Sequence, residues 1–313
     1  VSSNLIPRTR RRARDGLRIL SWSRALLLYT LVRIFAAMIV YPNAKLNLGL
    51  FVTGRRADGY HLLETAFLPI PLVDTLELEL QPESGADQLR LEDAVGADLG
   101  AVEDNLVLRA VRALRQLLPI PTVSLRLEKE IPSGAGMGGG SADASFTLTA
   151  LRTLAGLSLT DAELERVALT LGADCPVFIA NRPAVARGIG EVLSPLELPQ
   201  LEGRWLTVVK PQLHISTAEA FRGLLPIAPK GYSIEEVLAA PLEEWRERLV
   251  NDFEPSLFPR HPELAALKAA LYAAGADFAL LTGSGAALYG LSAQPLQLDL
   301  SPWPGCFHWQ TRL

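Results

Sequence analysis

A glycine-rich stretch near the middle of the chain constrains the fold more than any other feature. Residues 131–145 read IPSGAGMGGGSADAS, with glycine at five of the seven positions from 134 to 140. The segment before it, TVSLRLEKEI, alternates apolar and polar residues like a half-buried strand, and SADASFTLTALRTLAGL after it has helical spacing. So much glycine costs more folding entropy than a plain turn would justify. The stretch therefore predicts a strand, a loop that approaches a ligand, and a helix.

Two familiar nucleotide-binding loops do not explain this stretch. Gly134, Gly136 and Gly139 satisfy the G-x-G-x-x-G pattern of dinucleotide-binding folds. In those folds an acidic residue about 20 positions later ends a second parallel strand. Here Asp161 opens a predicted helix instead. A Walker P-loop needs a lysine after its last glycine, and Ser141 stands at that position.

The loop is instead predicted to bind phosphate through its backbone. Free N–H groups at a helix N-terminus, helped by the positive end of the helix dipole, bind anions without a lysine. Ser141 is placed to cap the helix or to contact a phosphate or its Mg²⁺. The alternative is a flexible loop with Ser141 as an ordinary N-cap, and the density of glycine favours phosphate binding.

Composition and charge limit the class of protein and of partner. The 313 residues are 49% hydrophobic and 20% charged, which is enough apolar surface for a core. Residues 38–313 hold 22 basic and 33 acidic side chains, and this acidic body argues against a nucleic-acid partner. Cys175 and Cys306 form neither a disulfide framework nor a zinc pattern, as is typical of a reducing cytoplasm.

Residues 1–37 differ from the rest of the chain and are predicted to lie outside the fold. They carry eight arginines and one acidic residue. Their apolar stretches are shorter than the roughly 20 residues of a membrane span, so no membrane partner is expected. Arg33 interrupts the apolar region, which argues against a signal peptide. The open interpretations are an extension upstream of a functional start at Met38, in a cytoplasmic protein, and a transit peptide for a plastid.

Hydrophobic periodicity predicts an α+β protein of two lobes. Alternating segments such as DTLELELQP and RWLTVVKP predict strands, and helices are predicted after Asn105 and after Thr160 or Asp161, the second of them ending at Gly172. Two further stretches, residues 233–255 and 261–276, have helical patterns. A new unit begins near residue 188, so the predicted lobes are residues 38–187 and 188–313.

Four segments resemble one kinase superfamily. PSGAGMGGGSADAS resembles the glycine loop of the kinases named for galactokinase, homoserine kinase, mevalonate kinase and phosphomevalonate kinase (GHMP), and TGSGAALYG, residues 282–290, resembles their C-terminal glycine motif. AKLNLGLFVTGRRADGYHLLETAF, residues 44–67, and LGADCPVFI, residues 171–179, are similar to signatures of the 4-diphosphocytidyl-2-C-methyl-D-erythritol kinase family. The segments occur in the family's order.

The resemblance implies a reaction, a fold and partners. In this family ATP with Mg²⁺ phosphorylates the 2-hydroxyl of the erythritol part of 4-diphosphocytidyl-2-C-methyl-D-erythritol, a step of the non-mevalonate isoprenoid pathway. The implied fold is an ATP-binding lobe like the second domain of ribosomal protein S5, followed by a ferredoxin-like substrate-side lobe. The expected partners are ATP and a cytidine diphosphate-linked polyol, and both a monomer and a homodimer stay open.

Lys45 and Asp174 are the catalytic pair that the resemblance implies. Asp174 follows the C-terminus of a predicted helix, where a carboxylate faces the negative end of the dipole and is poorly placed for stability. The family has its catalytic base at this position and its phosphoryl-stabilising lysine at that of Lys45. Taken alone, Asp174 is typical of a turn and Lys45 of an exposed strand position.

The resemblance also implies the substrate residues. Tyr60 and His61 would frame the cytosine ring by stacking and hydrogen bonding, although alone they are typical of a half-buried loop aromatic and a surface histidine. Phe221 would lie on the other side of the ring, and Thr217 and Asn47 would contact the substrate. Taken alone, Phe221 could instead be a core aromatic, Thr217 a helix cap and Asn47 a strand residue that faces water.

Two glycine loops complete the predicted site. The predicted ATP-binding residues are Pro132, Gly134, Gly136, Gly138, Gly139, Gly140 and Ser141. Gly283 and Ser284 in the second loop would approach the substrate, and Ser141 is also the candidate Mg²⁺ ligand. Cys175 is predicted to pack rather than react, and the remaining histidines, which lack metal-ligand spacing, are predicted to be structural or on the surface: His214, His261 and His308.

Two other functions stay open. The first is a homoserine-type or mevalonate-type kinase, against which the Tyr60–His61 pair argues because those substrates have no base to stack. The second is a non-catalytic nucleotide-binding homologue, against which the presence of both Lys45 and Asp174 argues.

Overall fold

The computed structural model describes residues 37–81, 85–93, 102–224 and 230–313. The predictions for residues 1–36 lie outside these described residues. Twelve strands and nine α-helices occur in the described part. The strands are β1 (Ala37–Val40), β2 (Asn43–Arg55), β3 (His61–Val73), β4 (Thr75–Gln81), β5 (Gln88–Asp93), β6 (Thr122–Lys129), β7 (Ala184–Arg187), β8 (Val192–Pro195), β9 (Trp205–Lys210), β10 (Phe278–Leu281), β11 (Leu288–Ser292) and β12 (Phe307–Arg312). The helices are α1 (Leu106–Arg115), α2 (Gly139–Leu154), α3 (Asp161–Leu171), α4 (Val177–Ala180), α5 (Thr217–Arg222), α6 (Ile234–Leu238), α7 (Leu242–Arg248), α8 (Glu254–Leu257) and α9 (Pro262–Ala273).

The strands form three four-stranded sheets. Their orders are β1-β4-β6-β5, β2-β3-β7-β8 and β10-β11-β9-β12. All pairs are antiparallel except β5 with β6. Because β8 pairs with β7, the sheet that begins with β2 continues to Pro195. The lobe boundary between residues 187 and 188 stays a prediction.

Helices α1 to α3 cover the first sheet and bury a core with it. The predicted alternation of β6 is confirmed, because its apolar positions are buried and its polar ones are partly exposed, except for the buried Lys129 at its end. The predicted Asn105 cap is also confirmed, since its side chain accepts the Val107 N–H at 2.9 Å. Val107, Val111 and Leu114 on one face of α1 then pack with Leu125 of β6. This core supports the strand and the helix on either side of the glycine loop.

A second core lies between the other two sheets and joins the lobes. Leu46 and Leu48 of β2 pack in one cluster with Val208 of β9 and Tyr289 of β11. The first nine residues of β2 are all buried, so both faces of this part of the strand are covered. One face of the strand packs on the C-terminal sheet, and the other carries Lys45 and Asn47 beneath the cleft described below.

Several predicted boundaries need correction. Helix α2 begins at Gly139 with Gly138 as its N-cap at φ 72°, so Ser141 lies inside the first turn and its predicted role as N-cap is wrong. Thr160, not Asp161, caps α3 through a capping box with Glu163. The helical pattern of residues 233–255 forms three short helices. Pro241, which has no N–H, separates the first from the second.

A buried charge triad holds the two ends of the glycine loop together. Asp74, between β3 and β4, accepts the backbone N–H groups of Glu130 and Ile131 at 2.6 and 2.8 Å and also binds the Lys129 ammonium. Lys129 donates to Asp143, near the start of α2, at 2.6 Å. Burial raises the pKa of Asp143 to about 7. The end of β6 and the start of α2 are therefore fixed to the same ammonium group.

The triad makes a stability prediction. Replacing Lys129 by Met should lower the free energy of unfolding by about 3–5 kcal/mol, because two buried carboxylates then lose their counter-ion. Urea unfolding monitored by circular dichroism measures the change. The control is Arg152→Met, which removes the exposed pair with Asp161 and should cost less than about 1 kcal/mol. Equal stabilities of the two variants would contradict the prediction.

Candidate active site

A cleft of about 570 Å³ lies where the glycine loop meets the C-terminal lobe. The sequence-predicted residues that line it are Lys45, Asn47, Pro132, Gly134, Gly136, Gly138, Gly139, Gly140, Ser141, Asp174, Thr217, Phe221, Gly283 and Ser284. Tyr60 and His61 line an adjoining cavity of about 850 Å³. The two cavities share Asp174, Thr217 and Phe221, so the predicted residues form one continuous site.

Lys45 and Asp174 form an ion pair at the centre of this site. The Lys45 Nζ lies 3.1 Å from Asp174 Oδ2, and the lysine side chain is 2% exposed while the aspartate is 40% exposed. The predicted exposed-strand alternative for Lys45 is therefore wrong. Lys45 Nζ also lies 5.0 Å from the Phe67 ring centroid, and the Lys45 N–H donates to the Met137 carbonyl at 2.9 Å. The carboxylate faces the cleft with its cation already in place.

Asn47 is buried and hydrogen-bonded in two directions. Its Oδ1 accepts from Lys45 Nζ at 2.6 Å, and its Nδ2 donates to Thr65 Oγ1 at 2.9 Å. The alternative of a strand residue facing water is wrong, because only 3% of the residue is exposed. One of the two amide N–H groups goes to Thr65, so the amide is held between the lysine and the threonine.

The two glycine loops contact each other directly. The Ala286 N–H donates to the Gly134 carbonyl, and the Ala287 N–H to the Ala135 carbonyl, both at 3.1 Å. Gly136 has φ 74°, and a Cβ there would collide with the backbone of the second loop. Gly138 has φ 72°, and a Cβ there would lie 3.1 Å from Lys45 Cε. Glycine is required at these positions because the loops and Lys45 pack without space for a side chain.

Aromatic rings line the adjoining cavity. His61 and Phe221 are stacked with centroids 4.8 Å apart and an interplanar angle of 17°, and Phe221 meets the edge of Phe253 at 5.0 Å. Tyr60 is 61% exposed. The Phe221 ring thus belongs partly to the core, as the alternative interpretation held, and partly to the cavity wall.

Hydroxyl groups lie between the two cavities. Thr217 Oγ1 is 3.3 Å from Ser284 Oγ. The helix-cap alternative for Thr217 is wrong, because Ser216 caps α5 by accepting the Glu219 N–H.

Cys175 lies on the side of the cleft formed by the glycine loop. Its buried thiol lies within hydrogen-bond reach of Ser141, and burial raises the pKa of the thiol to about 11. A thiol in this state packs rather than reacts, as predicted.

Several cleft residues were not among the sequence-predicted site residues. Thr65, Lys129 and His214 all line the cleft, and the His214 ring lies against Gly134. Lys129 could have been predicted as a cleft residue from the sequence, because it lies directly before the glycine loop. Thr65 and His214 reach the cleft only through strand pairing and through the packing of the second lobe, for which the sequence has no local pattern.

The described residues contain no cluster of three or more His, Cys, Asp or Glu side chains that could hold a metal ion. A Mg²⁺ ion bound with phosphates needs only one or two protein oxygens. The Asp174 carboxylate and the Ser141 hydroxyl line the same cleft and fit that requirement.

No helix in the described part of the chain is long and apolar enough to span a membrane.

Comparison with known proteins identifies the class. The models of the GHMP kinase N-terminal and C-terminal domains match residues 105–182 and 233–299. The crystal structure of Methanococcus jannaschii mevalonate kinase has the same fold, with a TM-score of 0.65 at 16% identity, covering 89% of this chain and 98% of that one. With its α+β fold and two glycine loops, the protein is a GHMP kinase, and the predicted fold class is confirmed.

Closer relatives identify the family. 4-Diphosphocytidyl-2-C-methyl-D-erythritol kinases from Porphyromonas gingivalis and Bacteroides thetaiotaomicron are 49% and 45% identical, covering 88% and 85% of this chain and 99% and 96% of those proteins. A crystal structure of 4-(cytidine 5'-diphospho)-2C-methyl-D-erythritol kinase has a TM-score of 0.71 at 34% identity, covering 87% and 98% of the two chains. The chain belongs to the 4-diphosphocytidyl-2-C-methyl-D-erythritol kinase family.

The cavity around His61 makes a pH prediction. Burial, and to a lesser extent the positive charge of Arg55, lowers the pKa of His61 from 6.5. Both causes disfavour the imidazolium, so the ring is neutral at pH 7 and protonates only at lower pH. An NMR titration of the histidine ring should give a midpoint below 6.5. In the Arg55→Met variant the midpoint should rise only in part, and a wild-type midpoint at or above 6.5 would contradict the prediction.

Proposed function

We propose that this protein uses ATP to phosphorylate the 2-hydroxyl of the erythritol part of 4-diphosphocytidyl-2-C-methyl-D-erythritol, as the names of its relatives indicate. The main support is the 3.1 Å pair of Lys45 and Asp174 beside the glycine loop. This pair lies where the loop cleft and the aromatic cavity meet. A phosphate held by the loop and a hydroxyl held from the other cavity would meet at Asp174.

The proposed mechanism assigns one task to each group. The backbone N–H groups at the start of α2 bind the ATP phosphates and orient the transferred phosphoryl group. Asp174 accepts the proton of the attacking hydroxyl. The Lys45 ammonium keeps Asp174 ionised and stabilises charge that develops on the phosphoryl oxygens. Mg²⁺, held by Ser141 and the phosphates, would add charge neutralisation.

The proposed substrate site is the aromatic cavity. Cytosine would insert among Tyr60, His61 and Phe221, which requires the His61–Phe221 stack to open because the two rings are in contact at 4.8 Å. A neutral imidazole has one N–H donor and one acceptor, which matches the mixed donors and acceptors of the cytosine edge. Thr217 and Ser284, between the cavities, are placed to contact the diphosphate or the polyol.

The catalytic pair makes the central prediction. Asp174→Asn should lower kcat by about 10³-fold, because an amide cannot accept the hydroxyl proton. The dissociation constant for ATP should change by less than about threefold, since the phosphate loop is intact. A coupled ADP-release assay with ATP, Mg²⁺ and the cytidyl substrate measures turnover, and fluorescence titration measures ATP binding.

The matched control is Asp161→Asn, an exposed carboxylate outside the cleft, which should leave kcat unchanged. Mevalonate and homoserine serve as competing acceptors. Turnover of only these two would overturn the proposed substrate. Normal turnover by the Asp174→Asn variant would remove this residue from the mechanism.

The aromatic cavity makes a separate prediction. Phe221→Leu should raise the KM for the cytidyl substrate about tenfold, because base–aromatic stacking contributes roughly 1–3 kcal/mol. The KM for ATP should stay within about twofold, since the ring stacks on His61 and is not part of the glycine loop. Phe258→Leu is the control, because Phe258 packs on the same hydrophobic cluster outside the cleft. A similar rise of both KM values in the Phe221 variant would contradict the assignment.

A further inference from the structure

A chain of three hydrogen bonds leads from the Lys45 ammonium through a buried threonine to a backbone carbonyl. Lys45 Nζ donates to Asn47 Oδ1, Asn47 Nδ2 donates to Thr65 Oγ1 at 2.9 Å, and Thr65 Oγ1 donates to the Gly49 carbonyl at 2.5 Å. An ammonium group can only donate and a carbonyl can only accept. The direction of every bond between them is therefore fixed, and so is the orientation of the Asn47 amide.

The strands place each member of this chain. Thr65 of β3 lies opposite Leu50 of β2, and the pairing shifts register between Leu48 and Leu50. The extra residue in this bulge is Gly49, at φ 75°, whose carbonyl receives the threonine hydroxyl. A regular strand would direct that carbonyl to its own ladder partner. The bulge thus creates the acceptor that Thr65 needs.

The backbone of Asn47 is held from the other lobe. Its N–H donates to Thr282 Oγ1 at 2.9 Å, and its carbonyl accepts from the Tyr289 hydroxyl at 3.2 Å. With the backbone fixed on both sides, the freedom that remains to Asn47 is rotation of its side chain. Thr65 is the residue that restrains this rotation.

The three donors of the Lys45 ammonium all have acceptors. They are Asn47 Oδ1 at 2.6 Å, the Gly136 carbonyl at 3.1 Å and Asp174 Oδ2 at 3.1 Å. When the first two are fixed, the tetrahedral ammonium directs its third N–H at Asp174. A rotated Asn47 amide would present N–H groups to the ammonium and remove one of these two restraints.

We propose that Thr65 is a positioning residue for phosphoryl transfer: its hydroxyl holds the Asn47 amide so that the Lys45 ammonium stays directed at Asp174. This inference rests on the proposed function, in which Lys45 and Asp174 act on the transferred phosphoryl group and the hydroxyl. Thr65 is 1% exposed and acts through Asn47 and Lys45.

The test compares Thr65→Val with Thr65→Ser in the full-length enzyme. Valine keeps the shape and removes the hydroxyl, so kcat should fall about tenfold while both KM values stay within about twofold. Serine keeps the hydroxyl and should restore kcat to within about threefold of wild type. The control is Thr207→Val, which removes an equally buried hydroxyl that accepts from Gln310 at 2.7 Å, and it should keep wild-type kcat.

Thermal unfolding of all variants separates positioning from stability. A folded Thr65→Val enzyme with wild-type kcat overturns the inference, and so does a Thr65→Ser variant as slow as the valine variant. If Asp174→Asn is inactive, either result removes only the role of Thr65 and leaves the proposed function intact. If wild-type enzyme turns over the cytidyl substrate and Asp174→Asn does so equally well, the catalytic pair and the role of Thr65 both fall.

Discussion

The buried ammonium of Lys45 is the interaction on which the arrangement of the cleft depends. A charge in the interior is tolerated only when it is paired and hydrogen-bonded. The three acceptors come from β2, from the glycine loop and from the turn after α3. None of these segments can move away without leaving the ammonium short of a partner. The requirement to satisfy one cation therefore holds three distant parts of the chain in a single geometry.

The packing of β2 extends this constraint to both lobes. The apolar face of the strand shares a core with the C-terminal sheet, where Leu48 and Val208 belong to one cluster. Its polar face carries the lysine, and Thr282 and Tyr289 of the C-terminal lobe bind the Asn47 backbone. The two glycine loops also exchange backbone hydrogen bonds. The cleft thus lies at a junction where β2, a strand of the sheet β2-β3-β7-β8, also packs against the C-terminal lobe and bonds to it.

Local signals in the sequence predicted the parts of this arrangement that depend on neighbouring residues. The Asn105 cap, the alternation of β6 and the glycine loop before a helix need only a few adjacent positions. The register shift at Gly49, the hydroxyl of Thr65 and the triad around Lys129 depend on strand pairing across many residues. The N-cap prediction for Ser141 was wrong because Gly138 serves as the N-cap, so the helix begins three residues earlier than a Ser141 cap would give. The Lys45–Asp174 pair was predicted from the family resemblance. Periodicity alone would have predicted that Lys45 is exposed.

The separation of Lys45 from the glycine loop explains why a search for a local nucleotide motif fails here. A Walker loop carries its lysine directly after the last glycine, so cation and backbone N–H groups form one local unit. In this protein the cation comes from a strand 91 residues before Gly136, and Gly138 has no side chain that would block the lysine stem. The loop alone can orient phosphates, but the cation arrives only when β2 has paired and packed. Because the same ammonium also binds the proposed base, phosphate stabilisation and proton acceptance would depend on one tertiary contact.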